Sequence, residues 1–161
     1  MEYYQGDRDY LALCFAKENR KTAEQIAECL QKQHVRVWGS DSGCELTQDS
    51  EASRFEKSRA AVIVISKEWA ADALCRLQLQ AAAALDLAAV LVFIDETDLS
   101  ADADLSALLS RSARMLDYNP KAEGEFTDAV MPLLCVRDCI MQEDEQPKKK
   151  KSGIFGLFGK R

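Results

Sequence analysis

Two short runs, Ala61–Ile65 (AVIVI) and Ala89–Ile94 (AVLVFI), constrain the fold more than any other feature of the chain. Both are apolar at every position and rich in β-branched side chains. A strand with one wet face alternates apolar and polar residues, whereas a strand apolar on both sides needs cover on both. Parallel strands obtain that cover from crossover helices, and the chain supplies them. Between the two runs, Trp69–Ala88 reads as one long Ala/Leu-rich helix with Ala70, Leu74, Leu77, Ala81 and Ala84 on one stripe. Upstream, Tyr10–Ala16 is a third strand. Ala23, Ile26, Ala27 and Leu30 then recur at helical spacing, with Asn19 or Thr22 able to cap that helix, and Val35–Trp38 is a fourth strand. Arg114–Asp117 reads as a small edge strand. Short helices are expected over Ser50–Lys57 and Asp104–Ser110. A final amphipathic helix is expected over Phe126–Met141, with Pro132 breaking or kinking it near Met131.

Strand and helix thus alternate, which predicts an α/β fold. The expectation is a five-stranded parallel sheet with helices on both faces and a flavodoxin-like strand order. Ligands of such sheets sit beyond the carboxyl ends of the strands. Here those ends lead into Ala16–Asn19, Gly39–Asp49, Ser66–Asp72 and Asp95–Asp98. The polar loop from Gly39 to Asp49 is long for a compact domain, and loops of that length are often functional.

At 161 residues the chain is one ordinary domain with a tail, and the boundary is placed near Gln142: residues 1–141 fold and residues 142–161 stay solvated. Net charge is −6, but six basic residues and no acids lie from Lys148 onward, so residues 1–147 carry −12. That sign argues against nucleic acid as the main partner. No stretch approaches the roughly 18 apolar residues of a membrane span. The acidic start, MEYYQGDRDY, lacks the apolar core of an export signal, so a cytoplasmic location with reduced thiols is expected.

Several chemistries lack their residues. There is no GxxxxGK[ST] phosphate loop, and Gly153, Gly156 and Gly159 follow lysines rather than a strand. The strand Ala61–Ile65 ends in Ser66 and Lys67, not in the aspartate of a phosphoacceptor. Among the six cysteines no CxxC pair occurs. Cys14, Cys29 and Cys75 lie in apolar patterns, and Cys135 with Cys139 is half a zinc site at most. His34, the only histidine, falls on a connection with no nucleophile and orienting acid beside it.

The segment Phe55–Ala82, FEKSRAAVIVISKEWAADALCRLQLQAA, resembles the middle of a TIR (Toll/interleukin-1 receptor) domain. Asp9–Ala16 is similar to the family's first strand, and Val35–Trp38 with the Gly/Asp loop after it to the second strand and BB loop. LVFIDETDL with RMLDY is similar to the later part of bacterial members. The resemblance covers roughly residues 8–141 and implies the five-stranded TIR fold. It also implies one of two activities: association with itself or another TIR protein, or cleavage of nicotinamide from NAD. The enzymes' glutamate lies three positions beyond the cysteine of the helix after the third strand. Counting from Cys75, that position is Gln78.

A carboxylate stabilises the oxocarbenium-like sugar, or holds the ribose hydroxyls, through charge-assisted hydrogen bonds. An amide keeps the shape and loses the charge, at a cost on the order of 10²–10³ in rate. The resemblance therefore implies an association module in signalling or defence, with NAD cleavage lost or weak. The alternative is an active NAD glycohydrolase in which Glu68, Asp72, Glu45 or Asp49 replaces the missing acid. Asp72 also reads as an N-cap. By the same resemblance, Ala16, Lys17, Trp38, Asp41, Gly43 and Cys75 border the NAD cleft, with no metal, whether NAD is a ligand or a substrate.

The tail, KKKKSGIFGLFGKR, sets lysines beside Ile154, Phe155, Leu157 and Phe158. It reads either as a solvated tail, as a weak contact for anionic membranes through Lys148–Arg161, or as a segment that docks on protein.

Overall fold

The computed structural model describes residues 2–39, 54–99, 102–103, 114–133 and 136–142. Five strands form one parallel sheet: β1 Leu11–Cys14, β2 Val37–Gly39, β3 Ala60–Ile65, β4 Ala88–Phe93 and β5 Arg114–Asp117, in the order β2-β1-β3-β4-β5. Register pairs Leu13 with Val62 and Val62 with Val90 across the centre. The described helices are α1 Arg20–Lys32, α2 Lys67–Ala71, α3 Ala73–Ala84 and α4 Glu123–Val130, with short 3-10 turns around them. This is the expected flavodoxin-like arrangement.

All six residues of β3 are buried. Ala60, Val62 and Val64 face one core, with Ile26 and Leu30 of α1 and Phe126 and Val130 of α4. Ala61, Ile63 and Ile65 face the other, with Trp69, Cys75 and Leu79 from α2 and α3. Topology explains the split. From β1 the chain steps one way to β2, and from β3 it steps the other way to β4, so right-handed crossovers put their helices on opposite faces.

The expected long helix over Trp69–Ala88 is two helices. Ser66 caps α2, accepting the Trp69 N–H at 3.0 Å. At Asp72 the backbone is extended (φ −97°, ψ 116°), and its carboxylate accepts the Leu74 N–H at 2.9 Å, restarting the chain as α3. Ala88 already belongs to β4. The face is also corrected. Cys75, Gln78, Leu79 and Ala82 point inward, while Leu77, from the expected stripe, is 48% exposed. An Ala/Leu helix is apolar nearly all round, so periodicity alone does not choose its buried face.

The strand expected at Val35–Trp38 begins at Val37; Val35 instead forms an isolated bridge with Ile140. Asn19 flanks α1, but its side chain does not cap it. The helix expected over Phe126–Met141 ends at Val130 and continues as 3-10 turns at Met131–Leu133 and Val136–Cys139, as Pro132 requires. Of the helix expected at 50–57, a turn at 54–56 is described. The helix expected at 104–110 lies outside the described residues, as do Cys44, Cys135 and the tail. No helix among the described residues is long and apolar enough to cross a membrane.

The end of the described chain is fastened to the sheet. Arg36 N–H donates to the Cys139 carbonyl (2.8 Å) and Met141 N–H to that of His34 (2.7 Å). The buried Arg36 guanidinium donates to the carbonyls of Asp9 (2.8 Å) and Asp138 (3.1 Å). Arg59 lies 3.4 Å from the Asp138 carboxylate and 3.7 Å from that of Asp9.

Removing the cap that separates α2 from α3 tests this account. Asp72→Ala is expected to cost about 1 kcal/mol and to lower the melting temperature by roughly 2–4 °C, read by circular dichroism. An unchanged melt would mean that the break does not depend on its cap.

Candidate functional site

The strand order reverses between β1 and β3, so the switch point lies where Ala16–Asn19 and Ser66–Asp72 leave the sheet. The two exits are joined: Ser66 Oγ donates to Asn19 Oδ1 at 2.5 Å while accepting from Trp69 N–H. The exit of β4 is tied in as well. Lys67 N–H donates to Asp95 Oδ2 at 3.0 Å, and the Thr97 hydroxyl donates to the other Asp95 oxygen. Side chains at three strand ends thus hold one another in place.

The candidate site residues divide sharply in exposure. Ala16, Trp38 and Cys75 belong to the buried cluster around Trp69, at 0%, 4% and 0% exposure. Lys17 and Glu68 are exposed. Asp72 is spent on its cap. Asp41, Gly43, Glu45 and Asp49 lie outside the described residues. Gln78 is 2% exposed on the inward face of α3, and its Oε1 has no hydrogen-bond partner. The fully buried Trp69 indole N–H is likewise unpartnered. An orphaned buried polar atom costs about 1–3 kcal/mol, so the pair is a local weakness in an otherwise well-packed core.

Burial works against thiolate formation at three of the described cysteines. Cys14, Cys29, Cys75 and Cys139 are free and buried. Burial pushes Cys14 far above the usual thiol range, with Cys75 adding to the effect. It pushes Cys29 up to about 11, with the Glu123 carboxylate adding, and Cys139 up to about 11. Glu123 is itself held down by its 2.7 Å bond from Lys32. Among the described residues no cluster of His, Cys, Asp and Glu is arranged to hold a metal ion.

A cavity of about 290 Å³ opens at the far edge, between β5 and α4, floored by Leu116 and Phe126 and bordered by Asp117 and Glu125. The sequence reading assigned none of these a role. The only local signal was Asn119-Pro120, a helix-start signature: Asn119 caps the turn, accepting from Lys121 N–H.

The family model for the TIR domain matches residues 11–134. No curated protein matches the chain. Among solved structures, the TIR domains of the activated Roq1 resistosome, directly recognizing the pathogen effector XopQ, align with a TM-score of 0.57 at 20% identity. The alignment covers 77% of this chain and 98% of that one, and at this identity it speaks for the fold alone.

Two substitutions probe the orphaned amide. Gln78→Leu is expected to leave stability unchanged or raise it, because it removes an unpaired buried carbonyl. Gln78→Glu is expected to destabilise at neutral pH, because burial raises a carboxyl's folded pKa. That loss should be absent below the unfolded pKa of about 4.3 and grow as pH rises through it, reaching its full size above the folded pKa. Urea unfolding of both variants across pH reads both effects. Separately, the described thiols should resist a thiol reagent at neutral pH in the native state and react fully in denaturant.

Proposed function

The chain belongs to the TIR domain family, and from that premise we propose that it acts in signalling or defence through TIR–TIR association, with NAD cleavage lost or weak. TIR domains work by associating with themselves or with other TIR domains. The observation that supports the proposal is the burial of Gln78, 2% exposed on the core face of α3, the residue that the resemblance sets against the enzymes' glutamate. A residue with that little exposure does not touch a substrate unless α3 moves. A neutral amide also supplies no charge against an oxocarbenium-like sugar. The nearby acids offer weak substitutes. Asp72 is engaged by Leu74 N–H, and Glu68 is a solvent-exposed residue of α2. The Gly39–Asp49 loop and the helices beside it are the proposed association surface.

The test is NAD consumption by the purified protein at high concentration, beside Gln78→Glu, together with light scattering over a concentration series. The wild type is expected to leave NAD intact and to show a mass that rises with concentration, alone or with another TIR protein. NAD loss proportional to wild-type protein would overturn the pseudoenzyme reading and move the search to Glu45, Glu68 and Asp72. A strictly monomeric protein that binds no TIR partner would overturn the association reading.

A further inference from the structure

The cavity of about 290 Å³ between β5 and α4 exists because small side chains stand where large ones would close it. Phe126 and Val130 of α4 reach the core, while Ala122 and Ala129 line the space without filling it. All five strands are parallel, so their carboxyl ends share one pole. Asp117 is the last residue of β5, so the cavity opens at that carboxyl pole, the end at which sheets of this class take ligands. It is separate from the switch point, since β5 lies two strand spacings, about 10 Å, from β3.

Its walls are set before anything binds. Phe126 is buried, and its ring stands at 84° to that of Tyr118 with 5.1 Å between centroids. Tyr118 N–H donates to the Phe93 carbonyl at 2.9 Å, which continues the pairing of β5 with β4 past Asp117. The first turn of α4 is held twice. Lys32 bonds the Glu123 carboxylate at 2.7 Å, and the Thr127 hydroxyl donates to the Glu123 carbonyl at 3.0 Å. A pocket already in shape spares its ligand the cost of ordering it.

The charge of the lining decides the ligand class. Both charged residues in it are acids, Asp117 from the strand and Glu125 from the helix, and both are exposed. Asn119 Oδ1 is engaged by Lys121 N–H. The cations nearby do not reverse the sign. Lys32 is spent on Glu123. Lys121 and Arg114 lie outside the lining, as does the exposed Asp128, so three acids (Asp117, Glu125, Asp128) stand against two cations. An anion meets no cationic side chain in the lining.

We propose that the cavity between β5 and α4 binds a small organic cation, an ammonium, amidinium or guanidinium group on a compact apolar body. The body packs on Leu116, Phe126 and the two alanines, and the cationic group meets the carboxylates at the rim. An aromatic wall favours a cation further. The space sits at the small end of the range for ligand pockets, about 300–1,000 Å³, which suits a whole metabolite-sized molecule. Exposed carboxylates attract weakly, so the expected dissociation constant is about 1 mM. The inference does not depend on whether NAD is cleaved or on what the domain associates with.

The test is an amide NMR titration of the full chain with benzamidinium, beside its neutral counterpart benzamide. Benzamidinium is expected to give saturable shifts confined to residues 116–129, weakening as salt rises. Asp117→Asn with Glu125→Gln should lower its affinity about fivefold and leave benzamide unchanged. Glu18→Gln with Glu56→Gln, away from the cavity, should change it less than twofold. Ala129→Leu, at an exposed position of α4, should fill the cavity and abolish binding, with thermal melts confirming the fold. Equal binding of benzamide would overturn the cationic class. Shifts that spread over the acidic surface, or that do not saturate by about 20 mM, would overturn the site, as would binding that survives Ala129→Leu. Tighter binding of acetylarginine amide than of benzamidinium would overturn the free ligand in favour of a partner's arginine.

Discussion

Everything in this domain depends on β3 being buried on both faces. None of its six residues reaches water, and its backbone is satisfied by β1 on one side and β4 on the other. Such a strand carries no chemistry along its length, because a polar side chain there would need a buried partner. Function is pushed to the ends of the sheet, where the backbone turns and side chains meet solvent. The two apolar sets of β3 also dictate the helices: Val62 and Val64 require α1 and α4, while Ile63 and Ile65 require α2 and α3.

The two ends are finished differently. At the carboxyl pole, short polar bonds between neighbouring exits do the work: Asn19 to Ser66, and Lys67 to Asp95. Each is local and leaves the surrounding acids facing water. At the amino pole a single buried cation, Arg36, reaches two backbone carbonyls more than a hundred residues apart in sequence, those of Asp9 and Asp138. That bond ties the last described segment to the first strand.

The strands were legible because their apolar runs are long and uninterrupted, and Arg114–Asp117 was found to the residue. What misled was composition. A helix of alanine and leucine has no polar face to mark its outside, so Leu77 read as core and lies out, while Gln78, outside the expected stripe, lies in. The break at Asp72 is half visible in sequence: the residue reads as a cap, yet the Ala/Leu pattern continues through it. The latch of residues 136–142 was invisible, because a bridge between Val35 and Ile140 leaves no local pattern in either segment. Of the candidate site, the burial of Gln78 was not legible, because nothing in an Ala/Leu helix marks which face turns inward.

That burial bears on which side chain the position tolerates. A glutamate held in a dry site stays charged only if charge-assisted hydrogen bonds compensate its desolvation. Around α3 the compensating groups are thin. Trp69 contributes one unpaired N–H, and Cys75 a buried thiol. Glutamine asks less of such surroundings. Its unpaired Oε1 costs on the order of 1–3 kcal/mol, against several for an uncompensated carboxylate.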